Sequence, residues 1–386
     1  MKANKSLWIL AVICVINSMG FGIVVPLLYS YGKKFGVTEH TIGLLTAAFS
    51  IAQFFATPVL GALSDKWGRK PVLVISLIGT CISFILFAQA RSIIMLFAAR
   101  ILDGLTGGNI SVAQAMVSDI SSPKDRAKNF GILSSAFGFG FVAGPAIGGL
   151  LSKIGLQVPF YFAAVIALAG ILITMLFLKE TNTERKDKQE YQFNYAWLIT
   201  VLKQPIVGVS IFIGFMLTMA QFSMIIGFQT FSVDQLKLSP TQIGLFYAGF
   251  AITGIVMQLL VPLLTKAFSS KAIILLISTL ICLGAMILSG FATGFILFAV
   301  AVCVYGLFNG LRNPMLNAII ADNSDSKEQG KVLGINQSYT SIGQTLGPVT
   351  AGLITVISVH SIFFLASFYI LIAFLLCFKL KSQNAS

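Results

Sequence analysis

The stretch Gly140-Phe-Val-Ala-Gly144-Pro145-Ala-Ile-Gly148-Gly149 returns 203 residues later as Gly343-Gln-Thr-Leu-Gly347-Pro348-Val-Thr-Ala-Gly352. The same offset extends upstream: it places Gly107 on Gly310, Ala115 on Ala318, Asp119 on Asp322 and Ser121 on Ser324. It continues through Lys128 on Lys331, Gly131 on Gly334 and Ser135 on Ser338. With a slightly different offset, Ile42-Gly43-Leu44 meets Ile243-Gly244-Leu245. A shared bias toward apolar residues would pair leucines and isoleucines, but not aspartate, proline and glycines in order. The chain therefore reads as a duplication.

What is duplicated is a membrane-spanning unit. Of 386 residues, 56% are hydrophobic and only 10% charged, against about 25% charged in a soluble protein. Mean hydropathy is +0.90. Apolar runs longer than the roughly 18 residues that cross a bilayer core as helix recur from end to end. This excludes a soluble enzyme, a nucleic-acid-binding domain and a secreted disulfide scaffold. The expected fold class is an all-α polytopic membrane protein of twelve spans, near 7–31, 41–63, 71–90, 93–119, 128–152, 158–178, 206–232, 240–264, 271–290, 293–321, 329–356 and 359–378. Strands are not expected, because the runs lack period-two alternation. The first segment is longer than a signal-peptide core and lacks a small-residue cleavage pattern, so it is expected to stay as a span.

Cys14, Cys81, Cys282, Cys303 and Cys377 lie inside apolar runs without pairing or ligand spacing, and His40 and His360 are the only histidines. No metal and no cofactor is expected. The net charge of +13 is mostly topological. When loops are assigned alternately, nineteen basic residues fall on the side holding both termini and five on the other. That asymmetry sets both termini in the cytoplasm. Arg100 and Arg312 fall inside spans. The hydrophilic stretch Lys179 to Tyr195 reads as a solvated linker, followed by an interfacial helix. It divides the chain into bundles of six helices at 1–178 and 206–386, with 179–205 between them.

Two parallel six-helix repeats meet along a pseudo-two-fold axis normal to the membrane, and a site at their interface opens to either face when they rock. This is the logic of an alternating-access transporter. No nucleophile or metal set suggests an enzyme. The expected partners are a small-molecule substrate and the lipid bilayer, without nucleic acid, and the expected state is a monomer.

Four segments resemble the major facilitator superfamily, in particular its twelve-span drug:proton antiporters, which include tetracycline and quinolone exporters. The first is Gly61-Ala-Leu-Ser-Asp65-Lys-Trp-Gly68-Arg69-Lys70, similar to the family's motif A. Gly61 and Gly68 permit close helix approach and a tight turn. Asp65 can meet the positive end of a helix dipole or a basic partner, and Arg69 can reach Asp119 across the loop. The resemblance implies that this cluster latches the cytoplasmic gate in the outward-facing state. A solvated loop would account for Lys66 and Lys70 but not for the Gly-Asp-Gly-Arg spacing. The equivalent loop of the second half, Pro262 to Lys271, lacks the acid and the glycines.

The second segment, Leu96-Phe-Ala-Ala-Arg100-Ile-Leu-Asp103-Gly104-Leu-Thr-Gly107-Gly108, is similar to motif B. Arg100 and Asp103 share one helix face and can neutralise each other. The family usually carries glutamine where Asp103 stands, so this chain adds an ionisable acid. Either the pair is a structural ion pair, or it takes part in proton relay, because a carboxylate whose partner moves changes its proton affinity. The third segment is Gly140, Gly144, Pro145, Gly148 and Gly149, which resembles motif C, the antiporter motif; by resemblance it separates exporters from symporters. The fourth, Gly20-Phe-Gly22-Ile-Val-Val-Pro26, is similar to the first-span signature. Many drug exporters place an acid in that span or in span seven. Here those spans offer only Asn17, Gln221 and Gln229, which shifts proton coupling toward Asp103.

Polar side chains inside spans face a cavity or another helix. Asn17, Gln53, Asn109, Gln114, Gln221, Asn309, Arg312, Gln337 and Gln344 are the substrate-binding candidates, some of which only staple helices together. Aromatic residues such as Phe21, Phe49, Phe137, Phe139, Phe222, Phe246 and Phe308 offer an apolar wall. Arg312 lies opposite Asn109 in the repeat, without an acid nearby in its own span. It either pairs with a remote carboxylate such as Asp103 or offers its charge to a substrate anion.

The expected function is proton-driven efflux of lipophilic or amphipathic small molecules, multidrug or tetracycline-like, across the inner membrane. The alternatives are export of one dedicated metabolite or organic anion recognised by Arg312, and proton symport.

Overall fold

An apolar chain without water to satisfy its backbone must bond every N–H and C=O internally, and a helix does this within one segment. The computed structural model describes residues 2–107, 109–122, 125–182, 196–268, 270–324 and 329–383. Among them the elements are all helical. The helices of the first half of the sequence are α1 Lys2–Gly32, α2 Glu39–Trp67, α3 Arg69–Ala88, α4 Ile93–Thr106, α5 Asn109–Ile120, α6 Arg126–Leu151 and α7 Val158–Phe177. Those of the second half are α8 Ala196–Leu202, α9 Pro205–Thr230, α10 Pro240–Ala267, α11 Lys271–Gly290, α12 Phe295–Asn309, α13 Arg312–Asp322, α14 Gln329–Ile354 and α15 His360–Gln383. Ser92 starts α4 by accepting the Met95 backbone N–H, and Pro205 opens α9 where its missing N–H is not needed.

Among the described residues eleven segments are both long and apolar enough to cross a membrane, α4 with α5 and α12 with α13 each making one. The twelfth expected span is α14, which at 26 residues reaches about 39 Å at the usual rise per residue. It is the polar member, because Asn336, Gln337, Thr340, Ser341 and Gln344 lie along it. Two spans expected to be continuous are interrupted. α4 stops at Thr106 with Gly107 as its cap, and α12 stops at Asn309, with Gly310 and Leu311 forming a turn before α13. A duplicated glycine stands at each interruption, where it admits a close neighbour. A side chain at Gly107 would lie 2.8 Å from Gln53 Nε2, and one at Gly310 would run into the backbone of Gly254. The Gly107 carbonyl accepts from Gln53 Nε2 at 3.1 Å. Most of the linker, residues 183–195, lies outside the described residues; α8 follows it where an interfacial helix was expected.

The chain forms two compact units. The first comprises Met1–Thr38, Ala48–Tyr191 and Leu238–Ala248; the second comprises Glu39–Ala47, Gln192–Lys237 and Gly249–Ser386. In the first, α1 lies along α6, and α3 packs on α7 and α4. The seam between α1 and α6 is glycine-built: side chains at Gly140 and Gly144 would strike Ser18 and the backbone of Met19 and Gly22, and Gly22 faces the Pro145 ring. In the second unit α9 lies between α14 and α15, and Gly343 and Gly347 press on Phe215, Thr218 and Met219 of α9 in the same manner. The duplication thus appears as the same glycine contact within each unit.

Each unit also takes a short helix opening from the other half of the sequence. In the second unit Gly43 at the start of α2 abuts Gly352, and His40 Nδ1 lies 3.1 Å from the Gly352 carbonyl. In the first unit Gly244 at the start of α10 abuts Gly149, whose carbonyl accepts from Thr241 Oγ1 at 2.7 Å.

Candidate functional site

The α2–α3 turn is built around Gly68, whose φ of +106° is one that side chains rarely adopt. That turn sets Arg69 at the head of α3. Its Nη1 lies 2.7 Å from Asp65 Oδ1 and donates to Ser64 Oγ at 2.7 Å, while Nε donates to Asp119 Oδ2 at 3.2 Å. One guanidinium therefore ties the end of α2 to the end of α5. Gly61 departs from the expected close approach, since no atom lies within 4 Å of where its side chain would be.

The positive end of α3 is taken not by Asp65 but by Glu180, just past α7. Glu180 Oε1 accepts from the backbone of Arg69 at 2.9 Å and Oε2 from that of Lys70 at 3.0 Å. The backbone N–H groups of Thr181 and Asn182 also bond to Oε1. Thr181 Oγ1 donates to Asp119 Oδ2 at 3.0 Å, and Asn182 Nδ2 donates to the Asp65 carbonyl at 2.9 Å. Residues 180–182 are thus a strap across the Asp65–Arg69–Asp119 cluster, where the sequence suggested solvated linker. The available signal was an acid three residues past an apolar run, in a chain whose α3 begins after a glycine that cannot cap it.

Burial alone would raise the Glu180 carboxyl, but the four backbone N–H donors outweigh it and hold the group below the usual range. A depressed carboxyl contributes stability above its unfolded value, and that stability is lost as pH falls through the folded one. Glu180→Gln is expected to destabilise by about 1–2 kcal/mol at neutral pH, as loss of a charged helix cap does. In thermal unfolding the gap from wild type closes as the pH is lowered below the ordinary glutamate range.

In the second unit Asp322, the repeat partner of Asp119, is ion-paired with Lys271 at the head of α11. The pair is well exposed and contributes no more than about 1 kcal/mol. The second half thus keeps an ion pair although its loop lacks the acid and the glycines.

Arg100 is fully buried and Asp103 nearly so. Arg100 Nη1 lies 3.8 Å from Asp103 Oδ2, and its guanidinium sits 4.3 Å from the centre of the Phe49 ring. Gly104 makes this possible: a side chain there would lie 2.7 Å from Ala52 Cβ and 3.1 Å from the Gln53 nitrogen, so α4 closes onto α2. Aromatic rings continue from Phe49 to Phe21 at 5.8 Å, to Phe141 at 6.0 Å, and on to Phe137 and Tyr247. Phe141 and Tyr247 were missed from sequence, where no spacing marks them apart from other apolar positions.

The substrate-binding candidates fall in both units. In the first, Gln53 is committed to the Gly107 carbonyl, Asn17 is half-buried and Gln114 exposed. The Asn109 side chain lies outside what the structure describes. In the second, Gln221 Oε1 is buried without a hydrogen-bond partner, Gln337 is exposed and Gln344 half-buried. Asn309 and Arg312 line one small cavity with Leu217, Ser278, Tyr305 and Phe308.

The family model described as Major Facilitator Superfamily matches residues 10–228 and 211–385. The chain belongs to the Major Facilitator Superfamily. As a member of that superfamily it is a multi-span membrane transporter and not an enzyme. It is 32% identical to the class C tetracycline resistance protein of Escherichia coli over 90% of this chain and 89% of that one. It is 29% identical to multidrug resistance protein 2 of Bacillus subtilis, over 92% and 90%. With the quinolone resistance protein NorA of Staphylococcus aureus it shares 27%, over 90% and 89%. The superfamily fold is shared with the crystal structure of a bacterial homolog of the human lysosomal transporter Spinster, at a TM-score of 0.82 and 15% identity over 98% of each chain.

Proposed function

We propose that this transporter exports lipophilic or amphipathic drugs, of the tetracycline or multidrug class, from the cytoplasm across a bacterial inner membrane, driven by protons moving inward. The observation that carries the reading is the full-length relation to proteins named for tetracycline, quinolone and multidrug resistance. It is supported by the glycine–proline seam of α6 on α1, whose string resembles the antiporter motif. In this reading the chain works as a monomer with both termini in the cytoplasm. Its six-helix halves, 1–178 and 206–386, joined by the linker at 179–205, work by alternating access, so that the substrate site faces one compartment at a time. Arg100 and Asp103 carry the proton-linked step. Protonation favours release outside, and deprotonation inside restores binding.

Everted vesicles energised by respiration test this, with dye accumulation and the pH gradient followed together. Substrate addition should dissipate part of the pH gradient only where the protein is present. Dye accumulation that persists after a protonophore abolishes the gradient would rule out proton drive.

A further inference from the structure

Both units bury an arginine in the membrane, but only one of them neutralises it. Arg100 has Asp103 three residues on. Arg312, 8% exposed, has the neutral Asn309 three residues back, and among the described residues no ion pair of its unit includes it. Among the described residues its one side-chain bond is Nε to Asn313 Oδ1 at 3.2 Å, and Nη1 is buried with no hydrogen-bond partner there. An arginine does not shed its proton inside a protein, and an uncompensated ion in a low-dielectric interior is several kcal/mol less stable than in water. Arg312 is also the first residue of α13, so the positive end of that helix adds to its field. The small cavity it shares with Asn309, Tyr305 and Ser278 is also lined by Cys282, Leu217 and Phe308.

We infer that Arg312 is the receptor of an intramembrane anion site within the second unit, which takes one halide ion or the carboxylate of an amphiphilic substrate. A single negative charge there restores to the second unit the neutrality that Asp103 gives the first. Only the substrate arm of this inference rests on the proposed export; the free-anion arm stands without it.

Purified full-length protein is heated in chloride or in gluconate, which is too bulky for the cavity, at constant ionic strength. Unfolding is then repeated with rhodamine B, which bears a free carboxylate, and with its ethyl ester. Chloride is expected to raise the unfolding temperature progressively over gluconate. A rise with rhodamine B alone, and not with the ester, identifies the occupant as a substrate carboxylate. Arg312→Gln should weaken binding of the anion about tenfold or more, the scale of one charge-assisted contact. Should that variant not fold, Asn309→Asp decides: it supplies an internal counter-ion and should abolish the anion effect while raising the unfolding temperature without added anion. The inference is overturned if neither anion stabilises wild type beyond its control, or if Asn309→Asp keeps the full response. Because these are binding readouts, anion stabilisation without dye export would sink the proposed function and leave the site intact.

Discussion

Asp103→Asn should fold, yet lose uphill transport altogether: in energised vesicles the dye ratio across the membrane falls to about one while exchange down a gradient persists. The carboxylate is 7% exposed and faces a guanidinium with nothing else ionic among the described residues within 4 Å. Asparagine keeps the shape but can neither bind nor release a proton, so under the proposed mechanism substrate movement should be uncoupled from the proton gradient. The substitution also strips Arg100 of its counter-ion, a change that destabilises buried pairs by about 3–5 kcal/mol. Here the Phe49 ring at 4.3 Å and the neighbouring Asn dipole offset part of that. Asp103→Glu, which restores the titratable group, separates the two effects. If Asp103→Asn still acidifies or alkalinises the lumen in step with drug, the proton passes elsewhere and the pair is structural.

The largest stability effect is expected at Gly144. Even one methyl group there meets the Met19 carbonyl and comes within 3.0 Å of Gly22, and both neighbours are backbone, which cannot rotate away. Gly144→Ala should therefore destabilise by about 3 kcal/mol, and Gly144→Leu should leave no folded protein in detergent extracts. The internal control is Gly61→Ala, which meets nothing within 4 Å and should stay within about 0.5 kcal/mol of wild type, as surface changes do. Equal melting of the two alanine variants would deny that the α1–α6 seam depends on backbone contact.

The helical architecture was legible because bilayer thickness forces span length, and because a duplication repeats its punctuation. Gly107 and Gly310, or Pro145 and Pro348, carry more information as pairs than either does alone. The interruption at each of the first two was not legible, since a lone glycine in an apolar run gives no sign of the neighbour it admits. Arg100 and Asp103 could be matched from charge alone, because ionic groups in apolar surroundings have few possible partners, whereas Arg69 and Asp119 were matched through the resemblance to motif A. Glu180 escaped the same reasoning for the opposite cause. It stands among seven charged linker residues, where its partners are backbone N–H groups that no sequence displays. Phe141 and Tyr247 were hidden by abundance, being two aromatic residues among dozens with no polar marker.

The exchanged helix openings bear on how such a protein is made. The first unit is incomplete until residues 238–248 have been synthesised, and the second needs residues 39–47. A gene cut at the linker would yield two polypeptides, each missing one glycine of a Gly–Gly contact.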